Sequence, residues 1–247
     1  MNALAKIRRA RACRADAGKE GRIRKNSVAA SPKELAIQRN GVMQGKFITF
    51  EGVDGCGKST QLCLAEAYLR EKGCDVLLTR EPGGPAISEQ IRAMLLDPEN
   101  RAMCDEAEAL LYAAARVQHL HETILPALAA GKVVLCDRFL DSSLAYQGYG
   151  RELGEGYVLS INAFAAAHQP DLTIYLRYAP EAARARIASR PADRLEQQGD
   201  PFFARVHAGY ERIAVQNPAR VAAIDAGDTV EAIQKQIAVR LDALLGR

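Results

Sequence analysis

Five stretches of the chain are continuously apolar, at 46–50, 74–79, 132–136, 171–176 and 220–225. Between them apolar residues recur at helical spacing, near 59–71, 86–97, 105–129, 139–147, 155–168, 179–188, 201–216 and 228–245. Strands that are apolar on every residue, rather than on every second one, belong to a parallel sheet covered on both faces. The alternation therefore predicts an α/β fold: a doubly wound, three-layer arrangement around five parallel strands, with ligands at their carboxyl ends. Gly73 and Gly131 are placed to stop helices just before strands, and Asp228 to cap the last helix.

The first 44 residues lack this pattern. They hold 11 Lys and Arg against 3 Asp and Glu, so the overall charge of +3 hides an acidic body. We read 1–44 as a disordered basic extension and 45–247 as the folded domain. Met43 as the true start, an organellar transit peptide, and a solvated tail with a weak anionic partner are the competing explanations of the extension. The acidic body gives no case for specific nucleic-acid binding. No apolar run approaches the roughly 20 residues a membrane helix needs, so no membrane partner is expected. Six scattered cysteines without a C-x-x-C pair fit a reducing, cytoplasmic setting.

One motif narrows the chemistry. Gly52-Val-Asp-Gly-Cys-Gly-Lys-Ser59 follows the first apolar run and fits the G-x-x-x-x-G-K-[ST] phosphate loop. Its glycines let the main chain approach an anion without a Cβ in the way. Lys58 reaches the outer phosphates, Ser59 offers a hydroxyl to Mg²⁺, and the helix that begins here turns its positive dipole end to the anion. Cys56 has two readings: a thiol whose pKa falls near the helix N-terminus, or a small residue that simply fits, which we favour.

The residues after each strand should face the cleft. Asp137, ending Leu135-Cys-Asp137, is placed either to hold Mg²⁺ or to cap a helix or pair with Arg138. Arg80 and Arg138 suit a second phosphate, or else surface salt bridges. Tyr112 and Arg116 lie four apart on the longest helix and share a face, which allows base stacking or plain packing. Between Arg184 and Arg194 four arginines in eleven residues form a basic flap. The phosphate loop carries Gly55 and no arginine, so the flap is the obvious source of positive charge for phosphoryl transfer.

Together these segments resemble thymidylate kinases. The resemblance rests on Phe50-Glu-Gly-Val-Asp-Gly-Cys-Gly-Lys-Ser-Thr60, Arg80-Glu-Pro-Gly-Gly84 and Leu110-Leu-Tyr-Ala-Ala-Ala-Arg-Val-Gln118. Asp137-Arg-Phe-Leu-Asp-Ser-Ser-Leu-Ala-Tyr-Gln-Gly148, Asp193-Arg-Leu-Glu196 and Phe203-Ala-Arg-Val-His-Ala-Gly-Tyr210 follow in family order. It implies a phosphate-loop NTPase fold and transfer of the ATP γ-phosphoryl group to thymidine 5′-monophosphate (dTMP). By resemblance, Gly52, Val53, Asp54, Gly55, Cys56, Gly57, Lys58, Ser59 and Thr60 cradle ATP, aided by Arg184 and Arg186 from a lid near 184–199. Ser59 and Asp137 hold Mg²⁺. Tyr112 stacks on thymine, Arg116 meets a thymine carbonyl, and Arg138 binds the acceptor phosphate. Asp54, Arg80, Ser142, Ser143 and Tyr146 complete the pocket, with Tyr146 crowding a ribose 2′-hydroxyl. Gly55 resembles the bacterial subgroup, whose lid supplies the catalytic charge; Arg190, then Arg186 and Arg194, join Lys58 and Asp54 in that duty. The family also implies a homodimer through helix faces such as the apolar side of 105–129. Cys56 stands where alanine is usual and adds thiol sensitivity, Pro85 stands where threonine is common, and the lid is one residue short. The alternatives are a kinase for another nucleoside monophosphate or a deoxynucleoside, or a non-catalytic nucleotide-binding protein; no N-K-x-D segment suggests a GTPase.

Overall fold

β1 (Lys46–Glu51) lies at the centre of a five-stranded parallel sheet of order β2-β3-β1-β4-β5. The structure, a computed structural model, describes residues 45–189 and 192–246. β2 (Val76–Arg80) and β3 (Val133–Asp137) lie on one side of β1, β4 (Leu172–Arg177) and β5 (Val221–Asp225) on the other. Register runs Phe47↔Val134, Ile48↔Leu135 and Phe50↔Asp137 between β1 and β3. The extension 1–44, with Met43, and the lid residue Arg190 lie outside the described residues.

Alternation along the central strands explains why both faces are apolar. Ile48, Phe50, Val133 and Leu135 enter one core cluster, while Phe47, Val134 and Cys136 enter a second. Burying both faces dries the sheet and leaves its strand ends as the place where polar groups gather.

The helices are α1 (Lys58–Glu71), α2 (Ala86–Leu96), α3 (Asp105–His119), α4 (Leu125–Ala129), α5 (Leu140–Ser143), α6 (Glu155–Ile161), α7 (Ala163–Ala166), α8 (Pro180–Ile187), α9 (Asp200–Gln216) and α10 (Val230–Leu245). Three expected helices are interrupted. The 105–129 helix widens to a π-helical turn over Leu120–Ile124. Pro126, just beyond, has no N–H to donate back to this turn. The 139–147 helix continues as a π segment, Leu144–Gly150. The third breaks at Asn162, whose φ of −109° departs from helical geometry. Gly73 and Gly131 end their helices with φ of 80° and 77°, a left-handed conformation that glycine adopts freely. The cap of α10 is Thr229, whose Oγ1 accepts from Ala232 N; Asp228 instead accepts from Thr229 N.

Candidate active site

The phosphate loop curls on three glycines with positive φ, Gly52, Gly55 and Gly57, and Gly57 opens α1. Gly55 leaves no spare room. A Cβ there would lie 2.1 Å from the carbonyl oxygen of Ala183 on α8, so only glycine lets the lid helix rest on the loop. Lys58 Nζ donates to the loop carbonyls of Gly52 at 2.8 Å and Val53 at 3.0 Å, which aims the ammonium at the loop's interior. Cys56 is buried, and burial raises its thiol pKa against the opposing pull of Lys58. It is a packing residue, and the expected thiol sensitivity is not supported.

Arg138 follows β3 with φ of 73°, a conformation a side-chain-bearing residue adopts only at some cost. That turn throws the guanidinium back over the loop. Its Nη2 donates to Asp54 Oδ1 at 2.8 Å, and its Nη1 to Ser142 Oγ at 3.1 Å and Tyr210 Oη at 3.2 Å. It also lies over the Tyr146 ring, 5.1 Å from the centroid. Behind it stands Glu51, fully buried at the end of β1. Burial, with Asp141 nearby, pushes its carboxyl up to about 7 against hydrogen bonds from Ser142 and Phe139 N and the charge of Arg138.

Asp137 Oδ1 is buried and has no hydrogen-bond partner among the described residues. An orphaned carboxylate oxygen beside a phosphate loop fits a hard cation better than it fits the helix-cap reading. Ser143 Oγ is likewise buried without a described partner.

The residues expected on the acceptor side are more deeply embedded than the sequence suggested. Arg116 is buried; its Nε donates to Glu81 Oε2 at 2.6 Å, Nη1 to Asn162 Oδ1 at 2.6 Å and Nη2 to the Phe139 carbonyl at 3.1 Å. Two of its five N–H groups remain beyond these bonds. His119 Nδ1 contacts the same Glu81 at 3.0 Å. Tyr112, half-buried, packs against the main core cluster. Arg80 forks onto Glu89 at 2.8 and 3.1 Å, in a turn where a Cβ on Gly83 would clash with its Nη1.

The basic flap divides into two parts. Arg186 on α8 donates to the Gly55 carbonyl at 3.4 Å and sits 4.0 Å over the Tyr178 ring, beside the phosphate loop. Arg184 pairs with Asp200 and covers Phe203. It lines a cavity of about 220 Å³ together with Val53 and Asp54. Arg194 corrects the flap reading. It is buried, with Nη2 2.7 Å from Glu108 Oε2 and Nε 2.9 Å from the Leu95 carbonyl, so its charge is committed to the fold. Glu108 also receives Arg151 and Gln147. Asp193 closes a tight turn by accepting from Leu195 N and Glu196 N, so the lid's return is anchored.

Sequence reasoning passed over Glu51, Glu81, Glu108, Asn162 and Tyr210. For Glu51 a signal existed: a carboxylate ending a strand that is otherwise apolar is costly unless it is partnered.

Comparison with known proteins agrees with this geometry. Residues 50–237 match the family model described as thymidylate kinase. The chain is 49% identical over 210 residues to the thymidylate kinase of Geobacillus sp. (strain WCH70), covering 83% of this chain and all of that protein. It is 50% identical over 202 residues to that of Symbiobacterium thermophilum, covering 81% and 94%. The crystal structure of thymidylate kinase from Ehrlichia chaffeensis superposes with a TM-score of 0.66 at 32% identity, covering 80% of this chain and 98% of that one. With its phosphate loop, its facing arginine and a family match over three quarters of its length, the chain belongs to the thymidylate kinase family.

Proposed function

We infer that the protein transfers the γ-phosphoryl group of ATP to dTMP, giving thymidine 5′-diphosphate for dTTP synthesis. The observation that carries this reading is Asp54: one carboxylate joins the loop lysine, 3.8 Å away, to Arg138 on the acceptor side, 2.8 Å away. A donor site and an acceptor site share that residue.

Transfer is direct. An acceptor phosphate oxygen attacks the γ-phosphorus in line as the bond to the β–γ bridging oxygen breaks, and ADP leaves; no enzyme nucleophile is needed. Lys58 and the loop amides hold the transferring end, and Arg138 with Arg80 holds the acceptor phosphate. Tyr112 stacks on thymine, the remaining Arg116 N–H groups face a thymine carbonyl, and Ser142 and Ser143 line the pocket. Tyr146 crowds a 2′-hydroxyl. Ser59 and Asp137 would hold Mg²⁺, which neutralises charge on the phosphate oxygens. Among the described lid arginines Arg186 stands nearest the loop and takes the charge-stabilising role first, with Arg184 on the ATP side; Arg190 remains a proposed contributor.

We also propose a homodimer. Ile87 and Met94 on α2 and Leu110 on α3 are half exposed on two helices that pack together, an apolar face that a second copy would cover. No helix among the described residues is long and apolar enough to cross a membrane, and we propose a cytoplasmic setting.

The test is a coupled ADP-release assay with dTMP, dUMP, UMP, AMP and thymidine as acceptors. Turnover highest with dTMP supports the reading. A higher kcat/KM for another acceptor, or turnover with none, contradicts it.

A further inference from the structure

Glu51 is assigned no contact with phosphate or base, yet every group that hydrogen-bonds its carboxylate bears on Arg138. Its Oε1 accepts from Phe139 N at 2.7 Å, the amide following the left-handed residue. Its Oε2 accepts from Ser142 Oγ at 2.6 Å and Tyr210 Oη at 2.9 Å. Those two hydroxyls are the ones that receive Arg138 Nη1.

Proton counting makes the arrangement directional. When Glu51 is ionised, Ser142 Oγ and Tyr210 Oη, themselves 2.9 Å apart, both turn their protons to Oε2, and their oxygens are left to accept from the guanidinium. The carboxylate thus grips both the strained backbone and the side chain of the same arginine, through two struts arriving from α5 and α9.

We propose that Glu51 is a positioning residue for the acceptor phosphate, acting through Ser142, Tyr210 and Phe139 N to lock Arg138; this rests on the reading above that Arg138 holds that phosphate. Glutamine replaces it incompletely. An amide oriented to accept from Phe139 N presents an N–H to Ser142 Oγ and Tyr210 Oη, which must then turn their protons away, one of them onto the other hydroxyl 2.9 Å distant. The charged acceptor that holds both struts is lost.

Calorimetric titration of the full chain at pH 8.5, where Glu51 is ionised, with dTMP and with thymidine, which lacks the phosphate, separates this role from a general packing role. For Glu51→Gln we expect dTMP affinity to fall by about tenfold or more, the scale of a lost charge-assisted hydrogen bond. Thymidine affinity should stay within about twofold, because Arg138 faces only the phosphate. Equal weakening of both ligands, or unchanged dTMP affinity, overturns the proposal. Tyr210→Phe removes one strut and leaves the carboxylate in place, so it is read alongside and decides the matter if Glu51→Gln does not fold. A drop in the dTMP-over-thymidine ratio is expected there, and an unchanged ratio overturns the proposal. If the wild-type protein itself shows no preference for dTMP over thymidine, the Arg138 reading has failed and this inference falls with it.

Discussion

Asp54 Oδ1 accepts a hydrogen bond from Arg138 Nη2 at 2.8 Å, a contact between residues 84 apart in sequence that ties the phosphate loop to the end of β3. Because Lys58 lies 3.8 Å from the same oxygen, both cations lean on one carboxylate. Asp54→Asn keeps the shape and removes the charge. It should lower kcat/KM for dTMP roughly 10- to 100-fold, the scale of a charge-assisted hydrogen bond. Steady-state kinetics with dTMP varied at saturating ATP would check this; an unchanged kcat/KM would show that the two cations need no shared counter-charge.

Lys58→Ala should reduce kcat on the order of 10²–10³-fold or more, as expected when a donor aimed at developing charge is lost. The far-ultraviolet circular dichroism should be unchanged, because α1 is capped by the Gly57 backbone whatever the side chain at 58. Near-normal turnover would remove the loop from the reaction.

Glu108→Ala strips the buried Arg194 of its carboxylate partner and leaves Arg151 with Asp105 alone. Removing one partner of a buried ion cluster costs about 3–5 kcal/mol. Thermal unfolding should shift down accordingly, and limited proteolysis should open the 192–199 turn first, since Arg194 ties it to α3. A melting temperature equal to the wild type would mean that the cluster contributes nothing net.

The carboxyl of Glu51 sits near 7 in the fold against 4.5 in an open chain. Between those values the folded state binds a proton that the unfolded state has released, so stability falls as pH rises from 4.5 through 7 and then levels. The span is on the order of 3 kcal/mol. Urea denaturation at pH 5.5 and pH 8 should show lower stability at pH 8, and Glu51→Gln should flatten that difference; a slope of opposite sign in the wild type would refute the assignment.

Cys56, buried and with a raised thiol pKa, should react slowly with iodoacetamide at pH 7, while the exposed Cys104 reacts early. Peptide mapping of partly alkylated protein would check the order. Early modification at Cys56 would revive the activated-thiol reading.

Much of this architecture could be read from residues alone. The strands were legible because a strand buried on both faces, such as Val133–Asp137, has little freedom to be polar. The phosphate loop was legible because each glycine answers a local demand of backbone geometry. What stayed hidden was long-range pairing. Arg116 meets Glu81 across 35 residues, and Tyr210 meets Glu51 across 159. Local periodicity carries no information about such partners, so the Glu81 and Asn162 anchors of Arg116 went unseen and Arg194 looked like part of a loose flap. The π-helical turns were hidden for a related reason. The one at Leu120–Ile124 depends on Pro126 leaving a hydrogen bond unmade, not on hydrophobic spacing.

The contact between Gly55 and Ala183 limits how this enzyme can be re-engineered. Grafting an arginine into the loop at 55, so that charge is delivered from below, would evict α8 from its seat and take Arg186 with it. The two delivery routes are mutually exclusive in this scaffold, and a successful transplant would have to redesign residues 180–187 in the same stroke.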